Sequence, residues 1–281
     1  MLIIDHTAYP SILDDVLAHS SVSALLSFRA TASAYKSRVD TQLFTHAVLV
    51  TRATATGVQL ALRSASGAEL PYLPHLVHIL DIATTLEPTS AQKAEFTSLR
   101  TVRRFGSGMH LAAEIPSSWR APTAVDFLTV DEATGGAAGV LCAPGECSRY
   151  VAHVAPTSDG RRAEIRTRVQ RQRAREYVLV FWPSRYPPEH APVRVITEFG
   201  LHAHREGSLT IVGVEDALPE GYGLQKLKTL VRQFYTVTLR FSDAAADVQD
   251  ASTRWLSREE WWAELGARRE VEGVWPGVGY K

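Results

Sequence analysis

The sequence predicts an α/β protein in two parts, a short helical module at residues 1–50 and a larger, mostly parallel sheet over 51–281. Three observations lead there. Apolar residues recur three and four apart between residues 9 and 46. Beyond them, short β-branched and apolar runs follow one another with midpoints about 22 to 31 residues apart, the spacing of stacked strand-plus-connection units. Between the later runs lie amphipathic helical patterns, and strand–helix–strand alternation implies parallel strands joined by crossovers.

At the N-terminus, Ser11 is placed to cap a first helix, with Asp14 as a weak capping-box partner, and Ile12, Leu13, Val16 and Leu17 follow at helical spacing. Ser20-Ser21 breaks that helix and caps the next, which carries Leu25, Leu26 and Phe28. A third helical segment holds Tyr35, Val39, Leu43 and Phe44. Strands are expected at Val77–Ile82, Leu99–Phe105, Ala124–Val130, Arg149–Val154, Glu176–Trp182, Ser208–Val214 and Thr236–Phe241. Val193, Ile196, Phe199 and Ala203 share one helical face, with Pro192 in the first turn. Leu224, Leu227, Leu230, Val231 and Phe234 share another, so 176–241 reads β-α-β-α-β. At the C-terminus, Ser257-Arg258-Glu259-Glu260 is a capping box ahead of Trp261, Trp262 and Leu265, with Gly266 at the helix stop. Four of the six tryptophans (Trp255, Trp261, Trp262, Trp275) fall here, so residues 254–281 are expected to dock as a cap on the sheet's open end. Trp261 shares a face with Leu265 and should be the more buried of the adjacent pair.

The composition, 45% hydrophobic and 21% charged, is that of a chain able to bury a sizeable core. Thirty basic residues, only five of them Lys, balance thirty acidic ones, which disfavours a globally basic nucleic-acid binder. The two cysteines, Cys142 and Cys147, are too few for a disulfide framework and suggest ordinary thiols in a reducing compartment. The N-terminus has no basic region and no long apolar core of a signal peptide, and the longest clean apolar run, Tyr177–Trp182, falls far short of a membrane span. A cytoplasmic or nuclear location is expected.

Catalytic signatures are missing. The sequence holds no Gly-x-Ser-x-Gly elbow, no phosphate loop and no His-Glu-x-x-His helix. The cluster Gly135-Gly136-Ala137-Ala138-Gly139 lacks dinucleotide-fingerprint spacing and reads as a loop. His202 and His204, two apart at a helix end, point about 200° apart and suit the negative pole of the helix dipole better than a metal. His75 and His78 bracket a strand on opposite faces, and His110 and His153 stand alone, so neither a metal nor a cofactor is expected. Asp81 and Asp126 lie within strands; stacked in register, they would share a face and pair with Arg100, Arg103 or Arg104 as a structural ladder. The densest charge run holds Arg161, Arg162, Arg166, Arg168, Arg171, Arg173 and Arg175 against Glu164 alone. It reads first as a solvated loop and second as a patch, centred on Arg166, Arg168, Arg171, Arg173 and Arg175, for an acidic protein partner. Without aromatics in the run, RNA ranks below either.

The segment Tyr9 to Val50 resembles an F-box. Tyr9-Pro10 precedes the first helix; Ile12-Leu13, Val16-Leu17, Ala24-Leu25-Leu26, Phe28-Arg29-Ala30-Thr31, Ser33-Ala34-Tyr35 and Leu43-Phe44 follow in the family's order. Tyr9, Tyr35 and His19-Ser20 stand where the family carries Leu, Trp and an apolar helix end. The whole chain looks like fungal F-box-like proteins of uncharacterised function, in which a degenerate leucine-rich-repeat-like region follows. The resemblance implies a three-helix module that docks on the adaptor subunit of a cullin-type ubiquitin ligase through Pro10, Ile12, Leu13, Val16, Leu25 and Leu26. It also implies an irregular leucine-rich-repeat-like parallel sheet that captures a protein substrate. The expected function is therefore non-enzymatic protein interaction. A scaffold whose F-box binds no adaptor is the first alternative. An enzyme on a Rossmann-like, doubly wound sheet is the second, and strand order separates it from the repeat-like sheet.

Overall fold

The computed structural model describes residues 10–31, 33–55, 57–82, 96–107, 110–111, 122–130, 147–156, 174–182, 191–218, 221–238, 240–268 and 272. Three helices come first: α1 (Pro10–Ala18), α2 (Val22–Thr31) and α3 (Ser33–Phe44). The break between α1 and α2 falls at Ser20-Ser21, where Ser21 Oγ accepts from the backbone of Ala24. A hairpin follows, β1 (His46–Thr54) and β2 (Gly57–Ser64), with a short third strand β3 (Glu69–Leu70). The remaining strands are β4 (Ile79–Ile82), β5 (Thr101–Ser107), β6 (His110–Leu111), β7 (Thr123–Val130), β8 (Arg149–Pro156), β9 (Glu176–Phe181), β10 (Ser208–Val212) and β11 (Thr253–Leu256). Helix α4 (Ala191–Glu206) joins β9 to β10, while α5 (Leu224–Gln233) and α6 (Asp243–Ser252) join β10 to β11, and α7 (Arg258–Leu265) ends the described helices.

All the strands belong to one sheet. Its order is β11-β10-β9-β8-β7-β5-β4-β1-β2-β3, with β6 on β5. From β1 through β4, β5, β7, β8, β9 and β10 to β11 each neighbour runs parallel; β2, β3 and β6 are antiparallel additions. Chain order and spatial order coincide along the parallel run, so the sheet has no reversal at a switch point and the doubly wound alternative does not describe it.

A parallel sheet with both faces covered must be apolar on both. Register shows how the two faces are filled. One rung, Ala47–Leu80–Val102–Ala124–Tyr150–Tyr177–Leu209, faces the helices α1–α6. At the N-terminal end its members join Leu13, Leu17, Val39, Leu43 and Phe44 in one cluster. Towards β10 they join Val193, Ile196, Phe199, Leu227, Val231 and Tyr235 in another. The opposite face carries Val125, Val151, Val178, Val180 and Val212, closed over by Trp261 and Leu265 of α7. As its spacing requires, Trp261 is the more buried of its pair, at 2%, and Trp262 is half-buried. The Ser257–Glu260 capping box forms in both directions.

Three expectations change. The run at 236–241 is not a strand: α5 continues as a π-helical turn over Phe234–Thr238. Leu227, Val231 and Tyr235 form one buried stripe four apart, and the β-branched Thr236 turns its hydroxyl back to the carbonyl oxygens of Arg232 and Gln233. The sheet position goes instead to β11. Second, the C-terminal segment does more than cap the open end: it supplies the last strand and then folds back over the valine face. Third, residues 46–70 and α6 form elements that no strand or helix pattern had marked.

Gly200 sets how closely α4 meets the layer above it. A Cβ there would lie 1.7 Å from the Tyr235 hydroxyl and 2.9 Å from its ring carbon. Tyr235 is 1% exposed and stacked on Phe241 at 5.6 Å, so it has nowhere to swing. Gly200→Ala should therefore cost about 1–3 kcal/mol in urea denaturation, the range of overpacking. Adding Tyr235→Phe, which removes the nearest atom, should recover part of that loss.

Candidate functional site

The valine face also holds the densest polar cluster among the described residues. Asp81 on β4 and Arg103 on β5 are register partners, and both are buried. Arg103 donates twice to Asp81, Nε to Oδ1 at 2.6 Å and Nη2 to Oδ2 at 2.7 Å. His46 Nε2 lies 2.9 Å from both Asp81 Oδ2 and Arg103 Nη2. With a proton on Nε2 it donates to the carboxylate; without one it accepts from the guanidinium. Burial pushes the Asp81 carboxyl up, but hydrogen bonds from His46 and Arg103 outweigh burial and hold it below its ordinary value.

Two rungs away, Arg149 on β8 pairs with Glu176 on β9 and donates from Nε to Glu272 Oε2 at 2.7 Å. Burial opposes the Arg149 charge, and the two carboxylates more than restore it. Glu272 also binds through its backbone: its carbonyl oxygen lies 2.6 Å from His153 Nε2. His153 Nδ1 in turn accepts from Trp182 Nε1 at 3.0 Å. Only the neutral ring with hydrogen on Nε2 satisfies both bonds, so the contacts fix the tautomer. Burial drives the His153 pKa down to about 3, against the hydrogen bond it donates to the Glu272 carbonyl, with the nearby positive charges of Arg103 and Arg258 adding to the fall. Arg258 closes the upper end. It stacks over Trp182 at 5.1 Å, donates from Nη2 to the Phe181 carbonyl at 2.9 Å and reaches Asp216 at 3.3 Å.

Asp81 is fully engaged by Arg103 and His46, Glu272 by Arg149 and Arg268, and His153 by two ring contacts. A group with its hydrogen-bonding capacity used and no exposed surface has nothing to offer a substrate. The contacts of this cluster tie β1, β4 and β5 to one another, and β8 and β9 to the C-terminal segment.

The acid ladder differs from the expected one. Asp81 pairs with Arg103, whereas Asp126 sits in register with Arg104, one rung on, so the two acids are not on the same rung. Arg100 is exposed. His153 is not isolated, and the roles of His46, Arg149, Glu272 and Arg258 carried no local signal, because their partners lie far away in sequence. Of the expected adaptor-binding set, Pro10, Ile12 and Val16 are exposed, Leu26 is half-buried, and Leu13 and Leu25 are buried in the protein's own core. Of the Arg run, Arg175 is exposed ahead of β9; Arg161, Arg162, Arg166, Arg168, Arg171 and Arg173 lie outside the described residues, as do the Gly135–Gly139 cluster, Cys142 and Trp275. His75 is exposed and His78 half-buried; His202 and His204 fall within α4, and Cys147 is a buried free thiol. Among the described residues no three His, Cys, Asp or Glu side chains cluster as metal ligands, and no helix is long and apolar enough to cross a membrane.

No family model matches the chain, and comparison with curated proteins and with solved structures finds no significant match.

Two predictions follow from the cluster. His153 is neutral in the folded protein down to about pH 3 and titrates near 6.5 when unfolded. Below pH 6.5 the unfolded chain therefore binds the extra proton, and stability falls with pH until about 3. The loss at pH 4.5 should be about 2–3 kcal/mol. Lowered Asp81 adds a further loss below its ordinary value of 3.8. Urea midpoints measured from pH 7 to 4 should show this slope, and His153→Gln should flatten it. The second concerns Trp261, whose Nε1–H is buried with no acceptor among the described residues. Trp261→Phe loses no hydrogen bond and should cost under about 1.5 kcal/mol, whereas Trp261→Ala should cost about 3–5 kcal/mol. Equal losses in thermal melts would show that the indole N–H matters.

Proposed function

We propose that the protein is a non-enzymatic interaction protein: an F-box-like module, α1–α3, that binds the adaptor subunit of a cullin-type ubiquitin ligase, and a leucine-rich-repeat-like sheet that presents a protein substrate. One observation carries the reading. Helix α1 is apolar on two sides. Leu13 and Leu17 face the protein's own core, at 6% and 1% exposure, while Ile12 and Val16 stand open at 53% and 42%. These two are four apart, one turn above the other. A short helix with an uncovered apolar ridge about 100° round from its buried one is suited to a second protein. The sequential order of parallel strands supports the second half, since a repeat-like sheet grows by adding each strand beside the last. A cytoplasmic or nuclear location belongs to the same reading.

The burial of Leu13 and Leu25 favours a second reading, in which the module serves only to close the sheet's N-terminal end and the protein is a scaffold that binds no adaptor. The two readings differ in a pull-down of the purified chain with the adaptor subunit. Ile12→Asp with Val16→Asp alters only exposed positions, so the melting temperature should shift little while adaptor retention falls at least tenfold. Leu13→Asp, at a core position, should instead unfold the module. Failure of the unmodified chain to retain the adaptor, or undiminished retention by the double variant, rules out the first reading.

A further inference from the structure

The far end of the sheet has an open edge, which is independent of what α1 binds. Among the described residues β11 is the last strand of the order, paired on one side only, to β10. Its backbone orientation can be read. Gly213 N–H donates to Leu256 O at 3.0 Å, so Leu256 and Arg254 turn their peptide groups to β10, and Thr253 and Trp255 turn theirs outward, as alternate residues of a parallel ladder do. The Thr253 N–H is taken by Asp250 O of α6. That leaves the Trp255 N–H and the carbonyls of Thr253 and Trp255 pointing away from the sheet.

Beside this edge, on the face carrying α5, are two cavities that meet at the Trp255 side chain. One, of about 430 Å³, lies between α5 and β11 and is lined by Gln225, Lys228, Thr229, Arg232, Asp250 and Trp255 among others. The other, of 120 Å³, has Ile211, Val214, Leu224 and Leu256 as its apolar walls. The charges of the first are unevenly satisfied. Arg232 is held by Asp247 and Asp250. Lys228 stands 5.1 Å over the Trp255 ring and forms no ion pair among the described residues. In the second cavity Glu260 is committed to the Ser257 N–H at 2.7 Å.

We propose that β11 accepts an extended peptide of a partner protein as an additional strand, with an acidic residue against Lys228 and an aliphatic residue two positions away in the Ile211–Leu256 cavity. Main-chain bonds to Trp255 and Thr253 supply registry. Alternate residues of a strand lie about 6.6–6.8 Å apart on one face, which matches side chains opposite Thr253 and beyond Trp255. A basic peptide would meet Lys228 as a like charge.

The test is calorimetric titration of the full-length chain, without adaptor, with the blocked peptide Thr-Glu-Thr-Val-Thr, its reversed sequence, the Lys-for-Glu form and a form N-methylated at the central amides. One orientation of the Glu peptide should bind saturably, at least tenfold tighter than the Lys form, and N-methylation should abolish binding. Lys228→Glu should reverse the preference while leaving the melting temperature unchanged. Equal affinity for the Glu and Lys peptides, retained binding after N-methylation, or no saturation at millimolar peptide overturns the proposal. So does a dimer in light scattering that dissociates in Trp255→Pro, because a second copy then occupies the edge. Adaptor retention plays no part in these readouts, so they stand or fall apart from the function of α1.

Discussion

A parallel sheet covered on both faces cannot leave a charged side chain without a partner, and this requirement organises the whole valine face. Arg103, Arg149 and Arg258 are all buried there or nearly so. Each finds its counter-charge on a different element: Asp81 on the neighbouring strand, Glu272 near the C-terminus, Asp216 in the turn after β10. Removing Asp81 would strand the buried Arg103 guanidinium, which costs more than the pair itself contributes. The apolar packing of Trp261 and Leu265 over Val125, Val151, Val178, Val180 and Val212 supplies the driving force; the polar cluster decides where α7 and residue 272 must sit. His153 belongs to this specification. Its two ring contacts, one to the backbone of Glu272 and one to Trp182, read the position of both the C-terminal segment and the end of β9.

What the sequence made legible follows from the range of each signal. The stripes Val193–Ile196–Phe199–Ala203 and Leu227–Val231 report burial within one helix, and the capping box at Ser257–Glu260 is complete within four residues. These local patterns translated directly into α4, α5 and α7. The hairpin at 46–64 was obscured because Val48 and Leu49 are both buried, one on each face of the sheet, which erases period-two alternation. Thr236-Val237-Thr238 misled for the opposite reason: its composition is that of a strand, while the burial of Tyr235 four residues after Val231 continues a helix. The polar cluster was invisible on principle. His153 and Glu272 are 119 residues apart, Arg149 and Glu272 are 123 apart, and no spacing rule reaches that far. For the helical module, the sequence marked apolar positions but not their direction. Ile12 and Leu13 are adjacent residues of equal hydrophobicity, and only packing against Val39 and Leu43 decides which one is left outside.

The exposed apolar ridge of α1 and the edge at β11 lie at opposite ends of the parallel run. Helix α1 packs where β1 begins the series, and β11 ends it. Seven strand-to-strand steps separate β1 from β11, and at about 4.8 Å each they span about 34 Å. Strands added in chain order make that span a rigid spacer, because each is hydrogen-bonded to the next without interruption. An interaction protein with one partner at each end needs such a spacer; a single compact site does not.

The order in which the chain can close follows from the same architecture. Helices α1–α3 and strands β1–β5 share a cluster built from residues 13–102, so the N-terminal end can pack before the rest of the chain exists. The valine face cannot. Its strands span residues 123–212, but its cover, Trp261 and Leu265, and its last counter-charge, Glu272, come from the final part of the chain. Until they arrive, five valines and the Arg149 guanidinium have no lid. Closing such long loops is entropically slow, and exposed apolar sheet faces are prone to associate in the interval. The polar groups on that face help in the meantime: Arg149 and His153 on the open strands discourage a second sheet from stacking there, and Arg149 gains its second carboxylate and His153 its carbonyl acceptor only from the segment that belongs there. The polar cluster thus acts twice, against wrong partners while the face is open and for the right segment once it closes.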